Sequence, residues 1–253
     1  MSDEYPDFVA RFYDVVYAQV RDGVDNEYYL RKIAESPGPV LEIGVGTGRL
    51  FCEACRRGAD IEGVDLSRNM AARAQAKLPE AARSRVRVAD AVSMSLGRRY
   101  ALVVAPFRVL SHVRSVEDQL RLLDNVHEHL QPGGRFIFDL YVPSARIIAD
   151  GMREQVDFDG EYVPGRRLRR TVSARADIVS QMTHGRMTFT WDEEGSESRG
   201  EWQFDLRFFF RYEIEHLVAR SRLTLETIHG DFEEGPLTES SQEFVVVCRR
   251  EEG

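Results

Sequence analysis

The sequence predicts a doubly wound α/β sheet that carries a small antiparallel β-sheet as an insertion. Short apolar runs alternate with helical stretches from Val40 to about Val142, the pattern of parallel strands covered by helices on both faces. Between about 155 and 210, apolar residues recur at every second position instead, as in strands with one buried face. A chain of 253 residues with 43% hydrophobic composition can bury one full core, so one large domain with an insertion is expected.

In chain order, Val40 to Ile43 is an apolar run ending in glycines, and Ile61 to Val64 is another ending in Asp65. A helix from Leu50 to Arg57, closed by Gly58, lies between them. Ser67 caps a second helix that runs through Lys77 and stops at Pro79. Strands follow at Arg85 to Ala89, Tyr100 to Ala105 and Arg135 to Leu140. Ser115 and Asp118 open a further helix with Leu123, Val126 and Leu130 on one face, stopped by Pro132-Gly133-Gly134. In the insertion, Met187, Phe189 and Trp191 alternate with polar residues, as do Trp202, Phe204, Leu206 and Phe208. Asp192 to Gly200 reads as their hairpin connection, and Leu168 to Arg175 as a third strand. A helix from Glu213 to Arg220 and strands Leu223 to His229 and Phe244 to Arg249 return to the main sheet. The division is 1–150 with 211–253 for the main domain and 151–210 for the insertion.

Composition excludes several functions. A formal net charge of -8 opposes a polynucleotide backbone, whose non-specific binding relies on Lys and Arg. The acidic segment Met1 to Ala10, broken by Pro6, lacks the basic start and apolar run of a signal peptide, and no apolar run is long enough to span a membrane. A cytoplasmic protein is expected. Three cysteines do not make a disulfide framework. Cys52 and Cys55 form a C-x-x-C pair, but within a predicted helix and without a second pair, so they read as packing residues and no metal is expected.

The chemistry concentrates at strand ends. Leu41-Glu42-Ile43-Gly44-Val45-Gly46-Thr47-Gly48 is a buried strand entering a three-glycine turn that opens a helix, where a nucleotide-like ligand can approach the backbone. Asp65 ends the next strand, placed to accept from both hydroxyls of a ribose or to serve as a turn aspartate before Ser67. Asp90, followed by Ala91, ends the third, with the same pair of readings for an adenine edge. Three such residues after three successive strands fall on one carboxyl edge, where open α/β sheets bind ligands.

Leu41 to Gly48, Asp65, Asp90-Ala91 and Gln131-Pro132-Gly133-Gly134-Arg135 resemble, in order and spacing, the signature positions of class I S-adenosylmethionine-dependent methyltransferases. The segment from Gly230-Asp231-Phe232 through Pro236 to Ser240, with the inserted sheet, resembles small-molecule members of the glycine N-methyltransferase-like and sugar N-methyltransferase-like kind. The resemblance runs from Phe12 to Arg249. It implies a Rossmann-like seven-stranded fold, S-adenosylmethionine as cofactor and S-adenosylhomocysteine as product. By the same resemblance Gly44, Val45, Gly46 and Gly48 surround the methionine moiety and Glu42 orients its amino group. Asp65 holds the ribose, Leu66 and Met70 flank the adenine, Asp90 and Ala91 take its edge, and Pro106 borders the cofactor. Val45 stands where a cysteine is often found. Tyr17 and Tyr28 match tyrosines that close over the cofactor, or else form the core of an amphipathic helix.

After the fourth strand, Ala105 to His112 lacks the Asn/Asp-Pro-Pro-Tyr segment that methyltransferases of DNA amino groups have, a second argument against nucleic acid. Arg108 and His112 are expected to face the transferred methyl group, with Tyr141, Arg211 and Tyr212 in the same pocket and Phe208 to Phe210 in a lid formed by the insertion. Arg166, Arg167, Arg169 and Arg170 read as a solvated strand edge, or as a phosphate site. The expected acceptor is a small molecule (amino sugar, amino acid, other amine or hydroxylated metabolite), methylated on N or O by a monomer or homodimer. Two rival readings are a nicotinamide-dependent oxidoreductase, against which Gly44-x-Gly46-x-Gly48 departs from G-x-G-x-x-G, and a non-catalytic binding module.

Overall fold

The computed structural model describes residues 4–20, 23–193 and 195–252; Glu194, in the predicted hairpin connection, lies outside them. Two helices, α1 (Asp7–Val20) and α2 (Val24–Ala34), precede β1 (Val40–Ile43). There follow α3 (Phe51–Arg56), β2 (Ile61–Asp65), α4 (Arg68–Lys77), a short α5 (Glu80–Arg83), β3 (Val86–Val88) and β4 (Tyr100–Ala105). A 3-10 turn, Val109–His112, leads to α6 (Val116–His129), β5 (Leu130–Tyr141) and α7 (Ala145–Asp150). The insertion is β6 (Met152–Val163), β7 (Arg166–Asp177), β8 (Met182–Glu193) and β9 (Ser196–Arg207), after which α8 (Arg211–Ala219), β10 (Thr224–His229) and β11 (Glu243–Arg249) complete the chain.

The main sheet has seven strands in the order β10-β11-β5-β4-β1-β2-β3, parallel except for the hairpin of β10 and β11 at one end. The order reverses between β1 and β4, which opens a crevice at their carboxyl ends. Alternate residues feed two cores. Leu41, Val103, Phe136 and Val246 pack under α6 and α8, while Val40, Leu102, Ile137 and Val245 pack under α2, α3 and α4. Both predicted serine caps form: Ser67 Oγ accepts from Met70 N and Ser115 Oγ from Asp118 N.

The second sheet is an antiparallel meander, β6-β7-β8-β9. Its inner face buries Leu168, Phe189 and Trp191 against Val9, Phe12 and Val16 of α1. That face thus hangs over the carboxyl edge of the main sheet, roofing the crevice.

Several expectations need correction. The insertion has four strands, not three, because β6 was hidden by its polar composition; Phe158 is its one fully buried residue. The helix before β5 ends at His129; Leu130 already pairs with Tyr100, and Gly133 and Gly134 exchange backbone hydrogen bonds with Arg250 in the irregular start of that strand. β7 is an inner strand, so the arginines there are not a sheet edge. Among the described residues no helix is long and apolar enough to cross a membrane.

Candidate active site

A cleft of about 690 Å³ runs along the carboxyl ends of β1, β2 and β4 under the inserted sheet. Gly44, Val45 and Gly46 form its floor. Gly46 has φ +58° and nothing within 4 Å of where a Cβ would stand, so the backbone there is open to a ligand. Gly48 does not line the cleft; its missing side chain makes room for Cys52 Sγ, 2.8 Å from an added Cβ, and for Ala74 Cβ at 3.1 Å, so its role is to let α3 and α4 pack.

Glu42 reaches the same floor from β1. It is 1% exposed, its Oε2 has no hydrogen-bond partner, and burial pushes its carboxyl well above the usual range. Arg49, just past the glycine turn, supplies a cation in the same cleft and is held by Asp25 at 2.6 Å. A buried acceptor lacking a donor, beside a fixed guanidinium and open backbone, suits an amino-acid zwitterion.

Asp65 ends β2 with both oxygens engaged: Oδ2 accepts from Gly46 N at 2.7 Å and Oδ1 from Ser67 N at 2.8 Å. Burial nevertheless pushes its carboxyl up to about 6. Each oxygen keeps a second lone pair, and the residue lines the cleft. Leu66, Met70, Asp90 and Ala91 continue the wall beyond it. Asp90 also closes its own turn, Oδ1 accepting from Val92 N at 2.9 Å.

Past β4, Pro106 lines the cleft, and Phe107 and Arg108 stand in the left-handed region with φ 62° and 65°. Such non-glycine conformations cost about 1–3 kcal/mol each and need surroundings that enforce them. Asp139 on β5 does so. Fully buried, it accepts from Phe107 N at 2.7 Å, Arg108 N at 3.2 Å and Tyr29 Oη at 2.7 Å. Arg108 then donates to Glu243 at 2.9 Å and lies 5.1 Å over the ring of Tyr141. His112 follows at the end of the 3-10 turn, lining the cleft with Nε2 3.3 Å from Tyr5 Oη.

The roof is aromatic. Met187, Trp202, Phe204 and Leu206 line it, the Tyr5 ring packs on Trp202 at 4.6 Å with a tilt of 41°, and α1 adds Tyr13 and Tyr17, 4.3 Å apart. Tyr28 is absent from the cleft; it is 2% exposed and packs on Tyr29 and Phe232, as an amphipathic-helix core residue does. Arg211 and Tyr212 also fall outside: they start α8 at the surface, Arg211 paired with Glu215 at 2.8 Å and Tyr212 67% exposed. Phe208 and Phe209 are buried, Phe209 in the core under α6 and α8, and Phe210 is exposed, so that run does not line the cleft. Tyr141 lies behind Arg108, its hydroxyl 3.2 Å from Thr183 Oγ1. Arg170 is not a solvated edge residue: it is 3% exposed, forked onto Asp157 at 3.0 and 2.7 Å, and 5.1 Å over Tyr17. Sequence reasoning missed Tyr5, Arg49, Asp139 and Glu243. Only Asp139 left a signal, a lone charge in the apolar run Phe136 to Leu140.

Residues 40–134 match the family described as methyltransferase domain. A dTDP-3-amino-3,4,6-trideoxy-alpha-D-glucopyranose N,N-dimethyltransferase of Streptomyces venezuelae is 28% identical over 38% of this chain and 39% of its own length. A dTDP-3-amino-3,6-dideoxy-alpha-D-glucopyranose N,N-dimethyltransferase of Streptomyces fradiae is 23% identical over 72% of this chain and 66% of its own. The chain therefore spans less than two thirds of either relative. Among solved structures, an S-adenosylmethionine-bound amino pentose methyltransferase from Micromonospora echinaspora superposes with a TM-score of 0.71 at 18% identity, covering 99% of both chains. Residues 40–134 thus match a methyltransferase domain, and the whole chain shares the fold of an S-adenosylmethionine-bound methyltransferase of solved structure.

Proposed function

We propose that this protein transfers a methyl group from S-adenosylmethionine to the nitrogen of a small-molecule amine. The observation that carries the reading is the cleft floor, where the unpartnered Glu42 Oε2, Arg49 and the open backbone at Gly46 converge beside Asp65. Glu42 would take the ammonium and Arg49 the carboxylate of the methionine moiety, over Gly44 to Gly46. Asp65 would hold the ribose, Leu66 and Met70 the adenine faces, and Asp90 with the Ala91 N–H the adenine edge. The names of two curated relatives, N,N-dimethyltransferases of amino sugars, support nitrogen as the acceptor atom.

The bound cofactor supplies an electrophilic methyl on a sulfonium, an already activated leaving group. What remains for the protein is alignment and exclusion of water, and alignment alone can contribute about 7–11 kcal/mol. Trp202, Phe204, Tyr5, Tyr13 and Tyr17 provide the dry roof. His112 would take a proton from the reacting nitrogen, a role supported by its place in the cleft wall beside the Tyr5 hydroxyl.

Labelled S-adenosylmethionine offered with a panel of amines and of alcohols tests the reading, with label expected on amines. His112→Ala should lower transfer about 10²- to 10⁴-fold near neutral pH. Full turnover of that variant across the pH range would remove His112 from the mechanism.

A further inference from the structure

A second and larger cavity, about 1390 Å³, lies between α1, the inner face of the inserted sheet and the connection from β10 to β11. It shares Tyr17, Phe107, Arg108 and Met187 with the cofactor cleft, so the two chambers meet at the strained Phe107-Arg108 pair. Methyl transfer needs such a junction, because nucleophile and methyl donor must come within about 3–3.5 Å while their remaining parts lie apart.

The charges in this chamber discriminate among acceptors. Its described lining carries four carboxylates, Asp157, Asp231, Glu233 and Glu243, against two guanidinium groups, Arg108 and Arg170. Both arginines are already engaged, Arg170 by both oxygens of Asp157 and Arg108 by Glu243. A diphosphate is recognised by arginine forks, and here the fork of Arg170 is turned onto Asp157 while Arg108 gives one donor to Glu243. The excess carboxylates, Asp231 and Glu233, lie on the β10–β11 connection, where Asp231 Oδ1 is fixed by the amides of Glu233 at 2.9 Å and Gly235 at 2.8 Å. An anionic acceptor meets repulsion in this chamber and an ammonium meets attraction.

We propose that this second cavity is the acceptor chamber and that it selects an amine which is cationic in solution and carries no nucleotide diphosphate, in contrast to the dTDP-linked sugars named for the curated relatives. The inference rests on the N-methyl-transfer reading above. One proton passes from the ammonium to water before attack. The freed lone pair then forms the N–C bond while the C–S pair stays on sulfur, and a second proton leaves the nitrogen for His112.

Calorimetry with S-adenosylhomocysteine comes first; its failure to bind would sink the cofactor reading by itself. The loaded protein is then titrated at neutral pH with glucosamine, N-acetylglucosamine and uridine diphosphate glucosamine, which present the same sugar as a cation, a neutral molecule and a diphosphate ester. Glucosamine should bind about tenfold or more tighter than the other two, and raising salt from about 50 to about 500 mM should erode the preference. Glu233→Lys, at an exposed position, should narrow it while S-adenosylhomocysteine affinity stays unchanged. Tighter binding of the nucleotide form, or no discrimination among the three, absent binding included, would overturn the proposal.

Discussion

Asp139→Ala is expected to reduce methyl transfer about a hundredfold or more and to cost about 3–5 kcal/mol of folding stability, with S-adenosylhomocysteine affinity close to that of the unaltered protein. The stability loss follows from the two backbone amides and the tyrosine hydroxyl that Asp139 serves, each of which costs about 1–3 kcal/mol when left unpaired in the interior. The loss of transfer follows from the conformation these bonds enforce. Without them Phe107 and Arg108 can leave the left-handed region, and a displacement of about 1 Å at a reacting junction costs about 10²-fold. Cofactor affinity is spared because Asp139 lies behind the cleft wall. Asp139→Asn keeps one acceptor oxygen but sets an amide N–H₂ toward a backbone donor, so its losses should be intermediate. Urea denaturation and single-turnover transfer check both variants. Wild-type transfer by Asp139→Ala would show that the junction holds its shape by other means.

Asp65→Ala should weaken S-adenosylhomocysteine binding by about 1.5–3 kcal/mol, the range for hydrogen bonds to a charged group. The pH dependence is a sharper signature. Burial raises the folded carboxyl to about 6, above its ordinary 3.8, so between these values the folded state holds the proton more tightly than the unfolded chain. The ligand-free protein therefore loses up to about 3 kcal/mol of this contribution as pH climbs through about 6; it is present in full only at acid pH. Ribose hydroxyls donate best to the ionised form, so affinity for S-adenosylhomocysteine should rise over the same interval. Thermal melts and calorimetry between about pH 5 and about pH 8 should show the two trends running in opposite directions, and Asp65→Ala should flatten both. A pH-independent affinity in the unaltered protein would remove Asp65 from the ribose.

The parts of the fold legible in the sequence are those where one physical rule acts alone. β1, β2 and β4 are short runs buried on both faces, and hydrophobicity marks them to within a residue or so. Ser67 and Ser115 declare their helices because each side-chain oxygen accepts a first-turn amide, from Met70 and from Asp118. β6 escaped because an edge strand needs few apolar residues, and Met-Arg-Glu-Gln-Val-Asp carries no clean alternation. Tertiary context overrode the local signal elsewhere. Gly48 belongs to the glycine turn by spacing but serves helix packing, and Tyr28 sits near the site in sequence while its ring joins the core beneath Phe232.

The site divides in the same way. Residues in or just after the ends of parallel strands, Glu42, Gly46, Asp65 and Asp90, reach the cleft because strand ends fix their positions. Residues brought in by long-range contacts are invisible to spacing. Tyr5 meets His112 across more than a hundred residues, and Arg108 meets Glu243 across a greater separation still. The arginines of β7 show how far such contacts can reverse a reading, since Arg170 is the buried partner of Asp157 and of the Tyr17 ring.

The most direct test of the central claim is calorimetric titration of the purified protein with S-adenosylmethionine, S-adenosylhomocysteine and NAD in parallel. Micromolar, saturable binding of the first two with silence toward NAD is the expected result and joins the Glu42, Gly46 and Asp65 cleft to methyl transfer. Binding of NAD alone would contradict the account and make the same glycine turn a dinucleotide site.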